Sequence, residues 1–464
     1  MAPRKKTLKH IRSGALTRGL SLAGVALGSG AQLAGITLKN VFSSDEKKSS
    51  DRQKLIISRM SILTEQLGQL KGSLMKVGQM LSILGDQFLP PEAMDVLRQL
   101  RSDTPPLEWE KISRVLHRQL GQEALSLLDI NSEALACASL GQVHRARIKA
   151  NGQELALKIR YPGVDKAIDS DLVSLKRIFR LASIVPKSPD YDEIFSEVRA
   201  MMHQEVDYDR ERNNTDRFRE LLKNDHRFIV PKTFPQFSTK GVLATSFESG
   251  DLVDGPIAKN LSQDRKNRLA EAGLDLFFRE LFEFREMQTD PHFGNYLIRL
   301  DAQGISDQWV LLDFGAVRMF SKEFIEHYRR LVKGLVEGDR KAHEREAEWF
   351  GVLNKDDGDE FRDFSWQLSR MFAEPFLPKG QPEVPIHLQA PGGEYCFGKS
   401  DLTKRILKFA SLTQPRMTLI MKSRTPPREL VFLNRKMGGV FAMMATLNAT
   451  IDARSIILKR LQGA

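Results

Sequence analysis

Asp290-Pro-His-Phe-Gly-Asn295 and, further on, Trp309-Val-Leu-Leu-Asp-Phe-Gly315 are the stretches whose reading decides the fold. The first sets a carboxylate and an amide five positions apart on a Pro- and Gly-containing loop. The second ends an apolar strand on Asp313 and follows it with Gly315, which frees the backbone beyond the carboxylate. Hard oxygen ligands of this kind suit a magnesium ion bridging phosphates, and a nearby carboxylate suits a base. Asp-Phe-Gly alone carries little weight. The loop, a short hairpin's length and then a strand ending in Asp-Phe-Gly are together hard to reach by chance.

The five-residue step between Asp290 and Asn295 is the one that separates catalytic base from metal-binding Asn in kinase catalytic loops, with the second metal carboxylate supplied by Asp-Phe-Gly. The loop also reads as D-x-H-x-x-N, a form common in small-molecule phosphotransferases. His292 is expected to brace the loop rather than carry protons. Upstream, Glu154-Leu-Ala-Leu-Lys158 alternates apolar and other residues and ends on a lysine, a compact charge suited to the α and β phosphates of ATP. Before it stands Ala136-Cys-Ala-Ser-Leu-Gly-Gln-Val143, where a kinase has its glycine-rich flap. The candidate nucleotide-binding residues are Ala136, Cys137, Ala138, Ser139, Leu140, Gly141, Val143, Lys158 and Glu248. Alanine in place of glycine makes such a flap stiffer. The carboxylate that orients Lys158 is sought in Gln204-Glu-Val-Asp-Tyr-Asp-Arg-Glu211, with Glu205 the first choice and Glu211 the second.

Composition sets the frame. The 464 residues exceed one ordinary core, and 28% charged with 41% hydrophobic residues is a folded composition. Cys137 and Cys396, the only cysteines, make no disulfide framework and no metal spacing, which fits a reducing compartment. Residues 1–60 hold 12 Lys or Arg against 3 acids, or +9 of the +11 net charge. The remaining chain is nearly balanced, so an extended nucleic-acid-binding surface is not expected. Residues 19–38 are uncharged and rich in Gly and Ala, and Gly24 and Gly28 form a G-x-x-x-G pair. A membrane span, a membrane-surface anchor and a flexible leader all remain open for this segment.

The apolar period is helical from 55 to 100 and over 108–128, ending near Gly121 or slightly beyond. It changes to strand, turn and strand over 134–160, with Asn151-Gly152 as the turn. Helices are expected at 164–185, 190–222 and 262–287, short strands at 228–247, 296–300 and 309–312, and mostly helix from 321 onward. Strands before helices, divided near residue 250, give an α+β, two-lobed protein-kinase-like fold. The expected divisions are a basic leader (1–54), a helical extension (55–130), a sheet-bearing lobe (131–250) and a helical C-terminal lobe (251–464).

Four features together resemble the UbiB/AarF family of atypical kinases, which includes the mitochondrial coenzyme Q kinases. They are Lys76-Val-Gly-Gln79 (K-x-G-Q), the Ala-rich flap, Glu205-Val-Asp207 (E-x-D), and the Asp290–Asn295 loop with Asp313-Phe-Gly315. Arg435-Lys-Met-Gly-Gly439 looks like a further family motif. The resemblance implies a K-x-G-Q extension folded over the protein-substrate site, with Lys76, Gly78, Gln79 and Asp207 regulating it. It implies ATP and Mg²⁺ as cofactors, with Asp290, Lys158 and Glu205 in catalysis and Asn295 and Asp313 on the metal. It further implies an ATPase or atypical kinase supporting ubiquinone biosynthesis, the alternatives being a small-molecule or lipid phosphotransferase and an ATP-dependent scaffold of a biosynthetic complex. The expected partners are ATP, a lipid or quinone precursor, a membrane surface, quinone-biosynthetic proteins and a second copy of the chain as a homodimer, with no nucleic acid. Ser455-Ile-Ile-Leu-Lys-Arg-Leu461 is too short and charged to match the C-terminal membrane helices of the bacterial branch, so the expected likeness is to the branch resembling the mitochondrial kinases. The expected location is a bacterial cytoplasm, peripheral to the inner membrane.

Overall fold

The computed structural model describes residues 106–138, 140–181, 189–422, 424 and 426–462. The basic leader, the K-x-G-Q stretch and Ser139 lie outside the described residues. Strands in chain order are β1 (Leu128–Ala138), β2 (Gly141–Ile148), β3 (Glu154–Arg160) and β4 (Phe228–Ile229). They are followed by β5 (Val242–Ser246), β6 (Asp251–Leu252), β7 (Glu286–Gln288), β8 (Tyr296–Arg299), β9 (Gln308–Leu311) and β10 (Val317–Met319). Helices used below are α1 (Trp109–Ser126), α2 (Val164–Leu181), α3 (Pro189–Glu205), α4 (Tyr208–Leu221), α5 (Gln263–Arg279) and α6 (Arg428–Thr446).

The chain divides into two compact units, one of residues up to 213 with 232–247, the other of 214–231 with 248–464. A single cut near residue 250 is therefore too simple. Residues 214–231 belong with the second unit because β4 pairs in parallel with β9, Phe228 opposite Trp309. A partner eighty residues downstream is invisible to any local pattern.

The first unit is built on an antiparallel sheet in the order β1-β2-β3-β5. The strand pattern reaches back to Leu128, so the segment read as one hairpin is three strands. The β2–β3 turn falls where Asn151-Gly152 sits, with Gly152 at φ 72°. On β3 the period of two is clean: Leu155, Leu157 and Ile159 are fully buried, while Ala156, Lys158 and Arg160 face the other way. Each such buried Leu or Ile contributes about 1.5–3 kcal/mol. Helix α1 buries Ile112, Val115 and Leu116. It fills the expected stretch, kinking at Gly121 with φ 77° and ψ 169° and resuming to Ser126.

A polar pair is sealed on the core face of β2. Gln142 Oε1 accepts from the Leu107 backbone N–H at 2.9 Å, and Gln142 Nε2 donates to His144 Nε2 at 2.8 Å. His144 Nδ1 then donates to the Asn131 carbonyl at 2.8 Å, so the ring is the neutral Nδ1–H tautomer. Burial holds the His144 imidazolium form down, lowering its pKa. The Trp109 ring lies 5.1 Å from it.

In the second unit a sheet runs β4-β9-β8-β6, and β7 pairs with β10. Helix α5 does not continue to 287. It ends in a π-helical turn, Glu280–Phe284, and Arg285 at φ 56° turns the chain into β7. The strand forms because Gln288 meets Val317 and Glu286 meets Met319, a long-range pairing that overrides the local helical period. Phe277, Phe278, Leu281, Met287, Phe314 and Phe320 share one core behind these strands. Among the described residues, no helix is long and apolar enough to cross a membrane.

Replacing Gln142 by Leu keeps the volume but leaves the Leu107 N–H and His144 Nε2 without partners. The expected cost is about 1–3 kcal/mol of the first unit's stability, read as a lower urea midpoint for that unit.

Candidate functional site

Lys158 stands on the face of β3 turned away from the apolar core, and its Nζ donates to Glu211 Oε1 at 2.7 Å and Oε2 at 2.9 Å. The carboxylate is nearly sealed, with 3% side-chain exposure against 19% for the lysine, so removing either partner costs far more than breaking a surface ion pair. The first choice for that partner, Glu205, is corrected: Glu211 holds the lysine. The reason is a break in the helix. Residues 190–222 were expected to be one helix, but α3 stops at Glu205 and α4 starts at Tyr208, which resets the helical phase.

The break is held from both sides. Arg160 donates to the Val206 carbonyl at 2.7 Å, and Asp207 Oδ1 accepts from the Arg210 N–H at 3.1 Å as the cap of α4. Asp207 thus aims the helix that carries Glu211 one turn further on. Tyr208, missed in the sequence, is buried, and Lys158 Nζ lies 5.3 Å from its ring centroid.

The flap is a continuation of the β1–β2 ladder, paired Ala136 to Val143, Cys137 to Gln142 and Ala138 to Gly141. Cys137 is exposed and Leu140 buried, and the Leu140 carbonyl accepts from the Tyr161 N–H at 3.0 Å. Gly141 is required by contact: a Cβ there would stand 2.5 Å from the Ile159 carbonyl oxygen and 2.8 Å from the Tyr208 hydroxyl.

The other groups belong to the second unit. Tyr296 pairs with Leu311, and the Leu312 N–H donates to the Asn295 carbonyl at 3.0 Å. Asn295 and Asp313 therefore leave the same end of the β8–β9 hairpin. Asn295 Nδ2 donates to Asp290 Oδ2 at 3.2 Å, which turns its Oδ1 to the role of acceptor or ligand. Thr289 ties the start of the loop to the Ala316 carbonyl through its N–H at 3.1 Å and its hydroxyl at 2.8 Å. Asp313 Oδ1 accepts from the Gly315 N–H at 2.9 Å, and buried Phe314 packs its ring 4.8 Å from Phe218. His292 Nδ1 accepts from the Gly294 N–H at 3.1 Å, a brace within the loop. Glu248 pairs with Arg299 at 2.7 Å.

No group of three or more His, Cys, Asp or Glu gathers as a metal centre among the described residues. Asn295 and Asp313 fit magnesium nonetheless, since that ion takes one or two protein oxygens and completes its shell with phosphate and water.

Behind the loop, Lys436 is buried and donates to the Tyr296 hydroxyl at 2.6 Å and to Gln288 Oε1 at 3.1 Å. Glu280 Oε2 lies 3.8 Å from the same ammonium. Burial pushes the Glu280 carboxyl up to about 7, the lysine opposing only part of that rise.

Residues 99–346 match the ABC1 atypical kinase-like domain, and the chain belongs to the ABC1 atypical kinase-like family. The mitochondrial atypical kinase COQ8B of Rattus norvegicus is 29% identical over 450 residues, 97% of this chain and 80% of that protein. The mitochondrial atypical kinase COQ8 of Saccharomyces cerevisiae is 29% identical over 408 residues, 87% of this chain and 76% of that one. Among solved structures, the Rv3197–erythromycin complex from Mycobacterium tuberculosis aligns with a TM-score of 0.56 at 24% identity. That alignment covers 89% of this chain and 97% of that chain, and the shared feature is the fold, which is kinase-like.

Two outcomes follow from the geometry. Glu211→Gln is expected to lower ATP turnover by about two orders of magnitude, while Glu205→Gln leaves the Lys158 pairing in place. Side-by-side steady-state assays of the two variants decide between the candidates. Glu280 keeps its proton to about pH 7 when folded, but an unfolded glutamate releases it near 4.5. The folded chain thus binds more protons in that interval, and Glu280 makes stability fall as pH rises through it, with no further change above. Glu280→Gln is expected to flatten that slope in urea midpoints measured across the interval.

Proposed function

We propose that this protein binds Mg-ATP and cleaves its terminal phosphate, acting as an atypical kinase or ATPase in ubiquinone biosynthesis at a membrane surface. The observation that carries the chemical part is the sealed Lys158–Glu211 pair in a chain that also presents Asp290, Asn295 and Asp313 on adjoining loops. A lysine fixed by a buried carboxylate is a preset cation for the α and β phosphates. The quinone role rests on family membership and on the likeness to the COQ8 atypical kinases. The membrane surface rests on the +9 charge of residues 1–60.

In this reading Glu211 holds Lys158 extended, so no reorganisation is needed when phosphate arrives. Asn295 offers its amide oxygen and Asp313 its carboxylate to the cation that accompanies ATP. That magnesium ion, when bound, neutralises charge on the phosphate oxygens. Asp290 accepts the proton of the attacking hydroxyl, from water or from a polar lipid precursor, and Asn295 and Thr289 hold its loop still. The stiff flap, paired to Ala138 and Gly141, keeps backbone close to the phosphates without the swing of a glycine-rich loop.

The test is Mg²⁺-dependent ATP hydrolysis by the full chain, with and without anionic liposomes, beside an Asp313→Asn control. The expected result is turnover that rises with liposomes and falls by at least about a hundredfold in the control. ATP binding with no hydrolysis under any condition would remove the enzymatic reading and leave a nucleotide-sensing scaffold.

A further inference from the structure

Helix α6 reaches the catalytic loop from more than a hundred residues downstream and touches it at several points. An Arg435 guanidinium nitrogen lies 3.2 Å from Asp290 Oδ1, each side chain a little over a quarter exposed. One turn on, Gly439 presses against the next loop residue: a Cβ there would stand 2.1 Å from Pro291 Cβ and 2.6 Å from its Cγ. Positions i and i+4 share a helix face, so Arg435 and Gly439 act as one contact strip. Lys436, next in the chain, fixes the depth of the helix through Gln288 and Tyr296. Those two residues flank the loop, two before Asp290 and one after Asn295.

We infer that Arg435 is a positioning residue for Asp290. Asn295 engages Oδ2 at 3.2 Å and Arg435 engages Oδ1, so the plane of the carboxylate is set from both ends. Asn295 alone would leave the carboxylate free to rotate about its own bond. The loop residues between, Pro291-His-Phe-Gly294, contain no Lys or Arg, so the helix supplies the fixed cation that the loop lacks. A guanidinium stays charged throughout the working pH range, and its planar fork keeps the carboxylate aimed where an ammonium would let it swivel. Gly439 lets the helix come close enough, and the buried Lys436 network stops it from sliding.

The inference rests on the reading of Asp290 as the group that meets the attacking hydroxyl. Its test uses the full chain, with ATP affinity and turnover measured separately. Arg435→Gln is expected to lower kcat on the order of a hundredfold with ATP affinity unchanged, and Arg435→Lys to recover part of the loss. Arg435→Ala should regain turnover when guanidinium is added at millimolar concentration. Gly439→Ala should lose turnover as Arg435→Gln does, because the new methyl drives the helix off Pro291. Gly438→Ala, whose Cβ meets nothing within 4 Å, should not. Full turnover in Arg435→Gln, with Asp290→Asn inactive, would overturn the positioning role and leave the reading of Asp290 intact. A loss in Arg435→Ala that guanidinium leaves unchanged, together with a lower unfolding midpoint, would overturn it as merely structural. Activity in Asp290→Asn would remove the reading on which it stands.

Discussion

The buried ammonium of Lys436 is the constraint around which the second unit is arranged. An unpaired charge at that depth would cost several kcal/mol, so the surrounding chain has to bring oxygen to it. Gln288 and Tyr296 do so, and they also flank the Asp290–Asn295 loop. Tyr296 further donates to Gln288 Oε1 at 2.8 Å, which closes the network on itself. Side chains thereby hold β7 and β8 to α6, in addition to the sheet pairing of β7 with β10 and of β8 with β9 and β6. A loop whose two ends are pinned in this way loses little entropy when its carboxylate is fixed. The cost of burial at Lys436 is thus linked to the order of Asp290.

The first unit solves a related problem by different means. Its ion pair is placed by a strand on one side and a helix on the other, so its geometry depends on where α4 begins. Asp207 sets that start by capping the helix, and Arg160, on the same face of β3 as Lys158, fixes the Val206 carbonyl just before it. The strand therefore determines both the position of the lysine and the start of the helix that brings its counter-ion. Glu205-Val-Asp207 is a junction, and its acidic residues differ in role because they lie on opposite sides of a helix break.

Much of this was legible in the sequence, and what was missed shares a physical origin. Alternation on Glu154–Lys158 was readable as a strand, because a period of two is set by the backbone itself. The Asp290–Asn295 spacing and the strand before Asp313 were readable for the same reason, being local. Glu211 was ranked second because a helix break at Val206 has no Pro or Gly to announce it. The π-turn at Glu280–Phe284 and the strand after it were hidden, since β7 exists only by pairing with β10. Arg435-Lys-Met-Gly-Gly439 stood out as a motif but had no role, because its contacts lie on a loop 145 residues away.

The flap shows how stiffness can replace glycine. Its ladder stays paired to Ala138 and Gly141, so its strands cannot open independently of β3. Gly141, the residue nearest the tip that must lack a side chain, is pressed between the Ile159 carbonyl and the Tyr208 hydroxyl. Tyr208 in turn presents its ring to the Lys158 ammonium. Flap, lysine and the first turn of helix α4 are consequently packed together, and displacement of any of them must disturb the other two. A glycine-rich loop gains adaptability at the expense of order. Here the alanines remove the positive-φ conformations that such a loop would use, and the burial of Leu140 fixes the flap from beneath. The arrangement favours a single flap geometry over a loop that repeatedly opens and closes.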